Sequence, residues 1–157
     1  VRDVPLRRPA PIRIILDSGA TLSSEAALFR DAADVPVWVF CRDDADEVEM
    51  ERLESAGARV HPVPRDRSGS GVSLDAVLER CGAMGVRSIL CEGGGVVASQ
   101  LLARGLARRL YALVAPTVLG VGAVPAFPDV PAGARWRLAF DPERCGDDTL
   151  LTLDRTG

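Results

Sequence analysis

The sequence predicts an α/β fold with a mainly parallel sheet and an antiparallel C-terminal hairpin. Short apolar runs alternate with amphipathic stretches between residues 12 and 115, the pattern of strands and helices that alternate in a parallel sheet. Two later stretches, Trp136 to Phe140 and Thr149 to Leu153, follow each other without a helix between them. They are expected to pair as an antiparallel hairpin with a long connection. No repeat or boundary divides the chain, so residues 1–157 are expected to form one domain.

The first strands are short and apolar. Residues 1–11 are rich in Arg and Pro and predict an extended entry segment. Ile12 to Asp17 predicts a strand, and residues 18–35 contain only a weak helical stretch. Pro36 opens a second strand, Val37 to Cys41, whose nearly continuous apolar residues indicate burial on both faces of a parallel sheet.

A helix and a third strand follow. Asp43 and Asp44 are predicted as helix caps, because Asp side chains accept hydrogen bonds from free helical N–H groups. The helix is expected to continue to about Ala56, where Gly57 supplies the stop. A short strand is expected near Arg59 to Val63.

A second helix is predicted after a polar loop. The stretch Arg65 to Gly71 is rich in Gly and Ser and predicts the loop. Ser73 is the expected cap and Gly85 the expected end of the helix. One helical face carries the apolar residues Leu74, Val77, Leu78, Cys81 and Met84. Val86 to Cys91 then predicts another buried strand.

The C-terminal part begins with a helix predicted from Val96 to Arg104, with Gly105 as its stop. Leu110 to Ala115 predicts a strand that ends at Pro116. Residues 117–133 are rich in Gly and Pro, so an irregular segment is expected there.

Composition argues against several classes of protein. Hydrophobic residues make up 47% of the chain and charged residues 26%, as in an ordinary soluble domain. The net charge of −3 gives no general reason to expect binding to nucleic acid or to a membrane surface. No apolar run approaches the roughly 18 residues of a membrane helix, and no signal peptide is visible. A cytoplasmic protein is expected. Because the chain does not begin with Met, we expect it to be part of a longer protein.

The cysteines are expected to be free thiols in a reducing compartment, because none forms a C-x-x-C pair. They are Cys41, Cys81, Cys91 and Cys145. The single histidine, His61, is interpreted as a strand-end residue rather than a catalytic base. With one histidine and scattered cysteines, no metal site is expected.

The turn Glu92-Gly93-Gly94-Gly95 is the strongest candidate for a binding site. It follows a predicted strand and opens a predicted helix, whose first N–H groups lack partners and carry the positive end of the helix dipole. Glycines allow a phosphate to approach the backbone closely, because they have no Cβ. A tight turn that merely requires glycine is the alternative.

The turn does not indicate a Rossmann fold. Gly93, Gly95 and Ala98 satisfy a loose G-x-G-x-x-A pattern. In a Rossmann unit the next strand should end in an acidic residue, whereas here it ends in Val114-Ala115-Pro116. Phosphate binding is therefore expected without that fold.

Glu92 lies at the expected carboxyl end of a strand, beside the proposed phosphate site. A carboxylate there is suited to accept hydrogen bonds from a polyhydroxylated substrate. The alternative is a side chain that binds neighbouring backbone N–H groups.

Several segments together resemble the reductase domain of bacterial riboflavin biosynthesis. Three lie near the glycine turn: Ser88 to Gly95 (SILCEGGG), Leu101 to Leu106 (LLARGL) and Ala115 to Gly120 (APTVLG). Pro11 to Ser18 resembles an earlier strand of the family, and Arg144 to Asp148 resembles its closing hairpin. The resemblance extends over nearly the whole chain and keeps the order of the segments.

The resemblance implies a dihydrofolate-reductase-like three-layer sandwich. It also implies reduction of 5-amino-6-(5-phosphoribosylamino)uracil to the ribitylamino compound with NADPH, by hydride transfer to C1 of the ribose. The implied partners are this small phosphoribosylated pyrimidine and, commonly in the family, a second subunit. The residues that would line the cofactor site are Ser18, Gly94, Gly95, Val96, Val97, Ala98, Ser99 and Gln100. Glu92 would contact the substrate, and Arg2 would bind its phosphate.

The chain also departs from the family. Residues that carry the family's first strand, a lysine near the substrate and an Asp-Asp-Pro stretch have no counterpart, so N-terminal strands are expected to be missing. Arg108 and Arg109 stand where acidic residues are common. The H-x-E and P-C-x-x-C pattern of the zinc deaminase that is often fused to the reductase is absent, so no deamination is expected.

Three interpretations remain open on the sequence. One is the riboflavin-pathway reductase, with no general acid assigned. A second is a related pyrimidine or pterin reductase of the same fold, and a third is a non-catalytic nucleotide-binding remnant. Independently of the resemblance, Arg42 lies at a strand end and, with Ser18, is a candidate for binding the 2′-phosphate of NADPH.

Overall fold

The computed structural model describes residues 10–128, 130 and 135–156. The chain folds into two compact units, one ending at Ser88 and the other beginning at Ile89. The predicted entry segment lies largely outside the described residues, as does Arg2.

The first unit contains a three-stranded parallel sheet. Its strands are β1 (Arg13–Leu16), β2 (Val37–Arg42) and β3 (Ala58–Val63), in the order β1-β2-β3. β2 pairs in parallel on both of its edges, and only its last residue, Arg42, is not buried. The apolar runs therefore predicted these three strands correctly, including the burial of the central strand on both faces.

Two helices pack on the sheet: α1 (Glu47–Ser55) and α2 (Leu74–Ala83). Alternate residues of β2 belong to separate clusters, since successive side chains of a strand point to opposite faces. Val39 packs in one cluster with Leu53 of α1, and Phe40 packs in the other with Val77 of α2. Fully burying each of these side chains contributes about 1.5–3 kcal/mol.

The cap of α1 differs from the prediction. The carboxylate of Asp46, rather than that of Asp43 or Asp44, accepts a hydrogen bond from the Val48 N–H at 2.8 Å. Asp44 is instead paired with arginine side chains. The predicted stop is confirmed, because Gly57 has φ +99°, a conformation that glycine adopts without steric cost.

The second helix agrees with the prediction at both ends. Ser73 caps α2 through a hydrogen bond from the Ala76 N–H at 3.4 Å, and Gly85 follows the helix with φ +86°. Of the predicted apolar face, Leu74, Val77 and Cys81 are buried, whereas Met84, beyond the last turn, is exposed. In residues 18–35 only a short 3-10 helix forms, at Ala27–Phe29.

His61 lies within β3, two residues before its end. Its ring centroid is 5.3 Å from that of Trp38 and 5.1 Å from that of Phe40. Its Nε2 is buried with no hydrogen-bond partner among the described residues. Burial, followed by the nearby charges of Arg80 and Arg59, lowers the pKa of His61 below its usual value. Histidine here is part of the packed sheet face.

The lowered pKa predicts that the free energy of unfolding falls with acidification. The unfolded chain takes up a proton on His61 near its ordinary pKa of about 6.5, whereas the folded chain does so only at lower pH. Stability is therefore full above about pH 6.5 and declines as the pH falls through the interval below it. We expect His61→Gln to flatten this dependence in urea unfolding curves measured between about pH 5.5 and 7.5. Because His61 is the only histidine, an unchanged slope would contradict the prediction.

The second unit contains a helix and an antiparallel sheet. The helix is α3 (Gly95–Ala103), and the strands are β4 (Arg109–Val114), β5 (Trp136–Leu138), β6 (Glu143–Cys145) and β7 (Asp148–Arg155). The order is β4-β7-β5, and β6 also pairs with β7. All pairs are antiparallel. The predicted hairpin is confirmed, and β4 extends the antiparallel part.

One predicted strand is wrong. Val86 to Cys91 forms no strand, and its apolar residues Ile89 and Leu90 are 44% and 68% exposed. A strand depends on ladder hydrogen bonds to a neighbour, and no described residue supplies them to this segment. An apolar run alone therefore did not determine its state.

The remaining C-terminal segment agrees with its prediction. Residues 117–128 and 130 contain turns and bends but neither helix nor strand, and the rest of the 117–133 range lies outside the described residues. None of the described helices has the length and apolar character required to cross a membrane.

Candidate functional site

The N-terminus of α3 offers free hydrogen-bond donors. Gly94 is the N-cap, and its carbonyl oxygen accepts the first helical hydrogen bond, from the Ala98 N–H at 3.1 Å. No side chain caps the helix and no acidic residue lies in its first turn. Within the described part of the chain, the N–H groups of Gly95, Val96 and Val97 donate no hydrogen bond. An anion placed here would gain these donors and the favourable end of the helix dipole.

The three glycines of the turn have different surroundings. A Cβ on Gly94 would meet no atom within 4 Å, whereas a Cβ on Gly95 would lie 2.9 Å from the carbonyl oxygen of Ala126. At Gly93 the nearest atoms to such a Cβ would be the Sγ of Cys91 and the Cβ of Val97, both at 3.5 Å. Gly95 is therefore explained by packing against the Ala126 backbone. The space above Gly94 is open to a ligand.

The predicted cofactor residues of α3 lie at different depths. Val96 is 60% exposed, whereas Val97, Ala98 and Gln100 are half-buried. Ser99 is fully buried, and its Oγ has no hydrogen-bond partner among the described residues. The open end of the site is thus formed by the backbone from Gly94 to Val97, and Ser99 lies behind it.

Glu92 lies next to this open backbone, two residues before the N-cap. Its side chain is exposed, and in the described part of the structure it makes no hydrogen bond or ion pair. The alternative interpretation, in which Glu92 binds neighbouring backbone N–H groups, is therefore not observed. Its carboxylate remains free to accept hydrogen bonds from a ligand.

Ser18 and Arg42 lie together in the first unit, at the carboxyl ends of β1 and β2. The Arg42 N–H donates to the Ser18 carbonyl oxygen at 3.1 Å. The guanidinium of Arg42 donates from Nε to Asp44 at 3.1 Å and from Nη1 to the Ser70 carbonyl at 3.4 Å. This side chain is therefore held in place at the sheet edge.

Arg65 forms a second ion pair with Asp44. The hydrogen bond from Arg65, more than that from Arg42, keeps the pKa of Asp44 below its usual value. Two guanidinium groups therefore share the Asp44 carboxylate. The pairing of Asp44 with Arg65 was not predicted from the sequence, because Asp44 was assigned to a helix cap. The available signal was an acidic residue close to Arg42 in the sequence, with a further arginine in the loop that follows β3.

The sequence-predicted residues therefore fall into separate groups. Ser18 and Arg42 belong to the first unit, and Glu92 with residues 94–100 belongs to the second. Arg2 lies outside the described residues. The described residues contain no group of three or more metal-ligating side chains.

The fold defines the class of this protein as dihydrofolate-reductase-like α/β. It is similar to the RibD of Acinetobacter baumannii, with a TM-score of 0.77 and 23% identity over 95% of this chain. A pyrimidine reductase-like protein from Corynebacterium diphtheriae gives a TM-score of 0.78 at 19% identity over 94%. A diaminohydroxyphosphoribosylaminopyrimidine deaminase/5-amino-6-(5-phosphoribosylamino)uracil reductase from Thermotoga maritima gives 0.68 at 20% identity over 94%.

The family model of the RibD C-terminal domain matches residues 1–151. The chain belongs to this family. It spans 38% of the Acinetobacter and Thermotoga proteins and 62% of the Corynebacterium protein.

Proposed function

We propose that this chain is a reductase domain of riboflavin biosynthesis. It reduces 5-amino-6-(5-phosphoribosylamino)uracil to the ribitylamino compound with NADPH. The observation that carries the proposal is the open, uncapped start of α3 at Gly94, with the free carboxylate of Glu92 beside it. Membership of the RibD C-terminal domain family supports the choice of reaction.

The residues at the start of α3 fit the diphosphate of a dinucleotide. The N–H groups of Gly95, Val96 and Val97 are free to donate, and the missing Cβ of Gly94 leaves room for phosphate oxygens. Ala98, Ser99 and Gln100 continue the proposed cofactor site along the helix. NADPH, when bound, supplies the hydride that reaches C1 of the ring-opened ribose.

The substrate side of the site is assigned to Glu92 and Arg2. The Glu92 carboxylate accepts hydrogen bonds from the ribose hydroxyls and holds the sugar in position. The Arg2 guanidinium binds the substrate phosphate, to which its planar fork is suited. Reduction of the open-chain imine takes one hydride at C1 and one proton at the nitrogen.

The test is oxidation of NADPH by the purified protein, with and without the phosphoribosylaminouracil. We expect loss of the reduced-nicotinamide absorbance only when this substrate is present, and formation of the ribitylamino product by mass spectrometry. Turnover of a different pyrimidine or a pterin would instead indicate a related reductase. NADPH binding without turnover of any of them would indicate a nucleotide-binding remnant.

Ser18 and Arg42 are proposed to bind the 2′-phosphate and to select NADPH over NADH. The guanidinium groups of Arg42 and Arg65, which lie together beside Asp44, support this role. We expect Arg42→Ala to weaken NADPH binding about tenfold, because a hydrogen bond to a charged group contributes ~1.5–3 kcal/mol, and to leave NADH binding unchanged. Titration of both cofactors by fluorescence measures this. Arg30→Ala, which removes an equal charge elsewhere in the first unit, is the control. An unchanged preference in Arg42→Ala would remove Arg42 from the site.

We further propose that the protein is cytoplasmic and forms a homodimer. β4 lies at the outer edge of the described antiparallel sheet, where Tyr111 and Leu113 are 53% and 65% exposed. An outer strand with exposed apolar side chains is suited to pair with a second copy. Apart from the second subunit, the proposed partners are the phosphoribosylated pyrimidine and NADPH. We propose no binding to nucleic acid or to a membrane.

A further inference from the structure

A cavity in the C-terminal unit is lined mainly by arginines. Its volume is about 590 Å³, and its lining includes Arg108, Arg109, Arg137, Asp154, Arg155 and the backbone of Gly105. This volume lies within the ~300–1,000 Å³ of small-molecule sites. Strand pairing brings these residues together, since Asp154 of β7 lies opposite both Arg109 of β4 and Arg137 of β5.

Arg109 and Asp154 neutralise each other. Nε and Nη2 of Arg109 donate to the two carboxylate oxygens of Asp154, at 2.7 and 3.0 Å. The guanidinium also lies 5.4 Å from the centre of the Phe140 ring, a distance at which a cation–π interaction adds to its restraint. This bidentate pair forms a fixed element of the cavity.

The other three arginines keep their charge available. In the part of the chain that the structure describes, no hydrogen bond or ion pair involves the guanidinium groups of Arg108, Arg137 or Arg155. Arg108 and Arg137 lie close enough to Asp154 for their charges to lower its pKa, after the larger effect of Arg109. Three guanidinium groups therefore act on one carboxylate, and with Arg155 also in the lining a surplus of positive charge remains in the cavity.

Arg155 is positioned by the backbone around it. Its N–H donates to the Arg108 carbonyl oxygen at 3.1 Å. Its guanidinium lies over Gly105, in the position that a Cβ at this residue would fill. Gly105 has φ +68°, a conformation that glycine adopts without steric cost. The end of α3 is thus shaped to leave room for the arginine.

We propose that this cavity binds an oligophosphate group, through Arg108, Arg137 and Arg155 around the Arg109–Asp154 pair. Guanidinium forks match pairs of phosphate oxygens, and three surplus charges suit an anion with several negative charges better than a single carboxylate. The site lies beyond the C-terminus of α3, whereas the glycine turn forms its N-terminus. The nine residues of α3 separate the turn from the cavity by roughly 13 Å, and no residue that lines the cavity is among those proposed to bind the cofactor.

The experiment is calorimetric titration of the full chain with inorganic tripolyphosphate at constant ionic strength. We expect saturable binding that persists at saturating NADPH. The double variant Arg108→Ala/Arg137→Ala should weaken it at least tenfold. The control, Arg30→Ala/Arg87→Ala, removes two arginines of the first unit and should leave the affinity unchanged. Equal weakening in both variants would show general charge attraction and overturn the proposal, as would displacement by NADPH.

Two further arms refine the test. Arg137→Lys keeps the positive charge and alters only one side chain, so it remains informative if the double variant fails to fold. We expect it to weaken tripolyphosphate binding about threefold, because lysine lacks the guanidinium fork. Titration with ATP and with inorganic phosphate distinguishes the source of the ligand. Tighter binding of ATP than of tripolyphosphate would indicate a nucleotide, and equal binding a free oligophosphate. Inorganic phosphate binding as tightly as tripolyphosphate would contradict a site for several phosphate groups.

Discussion

Glu92→Gln is expected to lower kcat/KM for the phosphoribosylaminouracil about thirtyfold, while the Kd for NADPH stays within about twofold of its original value. Glutamine keeps the shape of the side chain but loses its charge and one of its acceptor oxygens. A hydrogen bond to a charged group contributes ~1.5–3 kcal/mol, and ~2 kcal/mol corresponds to the expected loss. Glu92 is exposed and makes no hydrogen bond or ion pair among the described residues, so the folded protein loses no internal contact.

Steady-state kinetics and fluorescence titration of NADPH separate the two effects. Glu51→Gln, an exposed carboxylate on α1, is the matched control and should change neither. A parallel loss of substrate use and NADPH affinity in Glu92→Gln would contradict the assignment of Glu92 to the substrate. An unchanged kcat/KM would remove it from the site altogether.

Gly94→Ala is expected to weaken NADPH binding about tenfold, or ~1.4 kcal/mol, and to lower the free energy of unfolding by no more than about 1 kcal/mol, because alanine is a poorer N-cap than glycine. Gly94 has φ −63° and ψ 171°, which alanine adopts readily, and its Cβ would meet no protein atom within 4 Å. The added methyl group occupies only the space that we assign to the diphosphate. Isothermal titration with NADPH and urea unfolding measure the two quantities.

Gly95→Ala is the matched comparison, one residue away. Its Cβ would lie 2.9 Å from the Ala126 carbonyl oxygen and 3.4 Å from Cδ of Pro128, so backbone must shift. We expect it to lower the free energy of unfolding by ~1–3 kcal/mol, as for overpacking elsewhere. If Gly94→Ala were equally destabilising, or left NADPH affinity intact, the open space above Gly94 would not be the cofactor site.

The elements whose state depends on local sequence were predicted well. The apolar run of β2 indicated a central strand buried on both faces, and Gly57, Gly85 and Gly105 marked the ends of α1, α2 and α3 because only glycine adopts their positive φ values easily. Ser73 was identified as a cap because a serine hydroxyl can accept a hydrogen bond from a free N–H group of the first helical turn. The start of α3 was predicted to within one residue.

Errors arose where a residue had two competing partners. Asp44 has the chemistry of a helix cap, but the arginines Arg42 and Arg65 bind it and Asp46 caps α1 instead. The apolar run from Val86 to Cys91 has the composition of a strand, but a strand exists only with a hydrogen-bonded neighbour. The residues of one segment determine neither the partner of Asp44 nor the state of the run from Val86 to Cys91.

The sequence by itself determined the α/β class, the three parallel strands and the position of the glycine turn before α3, because each depends on side-chain pattern and glycine over a few consecutive residues. Tertiary structure alone decided which glycine faces open space, because Ala126 approaches Gly95 from a distant part of the chain. It alone gathered Arg108, Arg137 and Arg155 around one cavity, since β5 pairs with β7 and the Arg155 N–H donates to the Arg108 carbonyl oxygen. Contacts between remote segments depend on packing of the whole unit, and no local pattern encodes them.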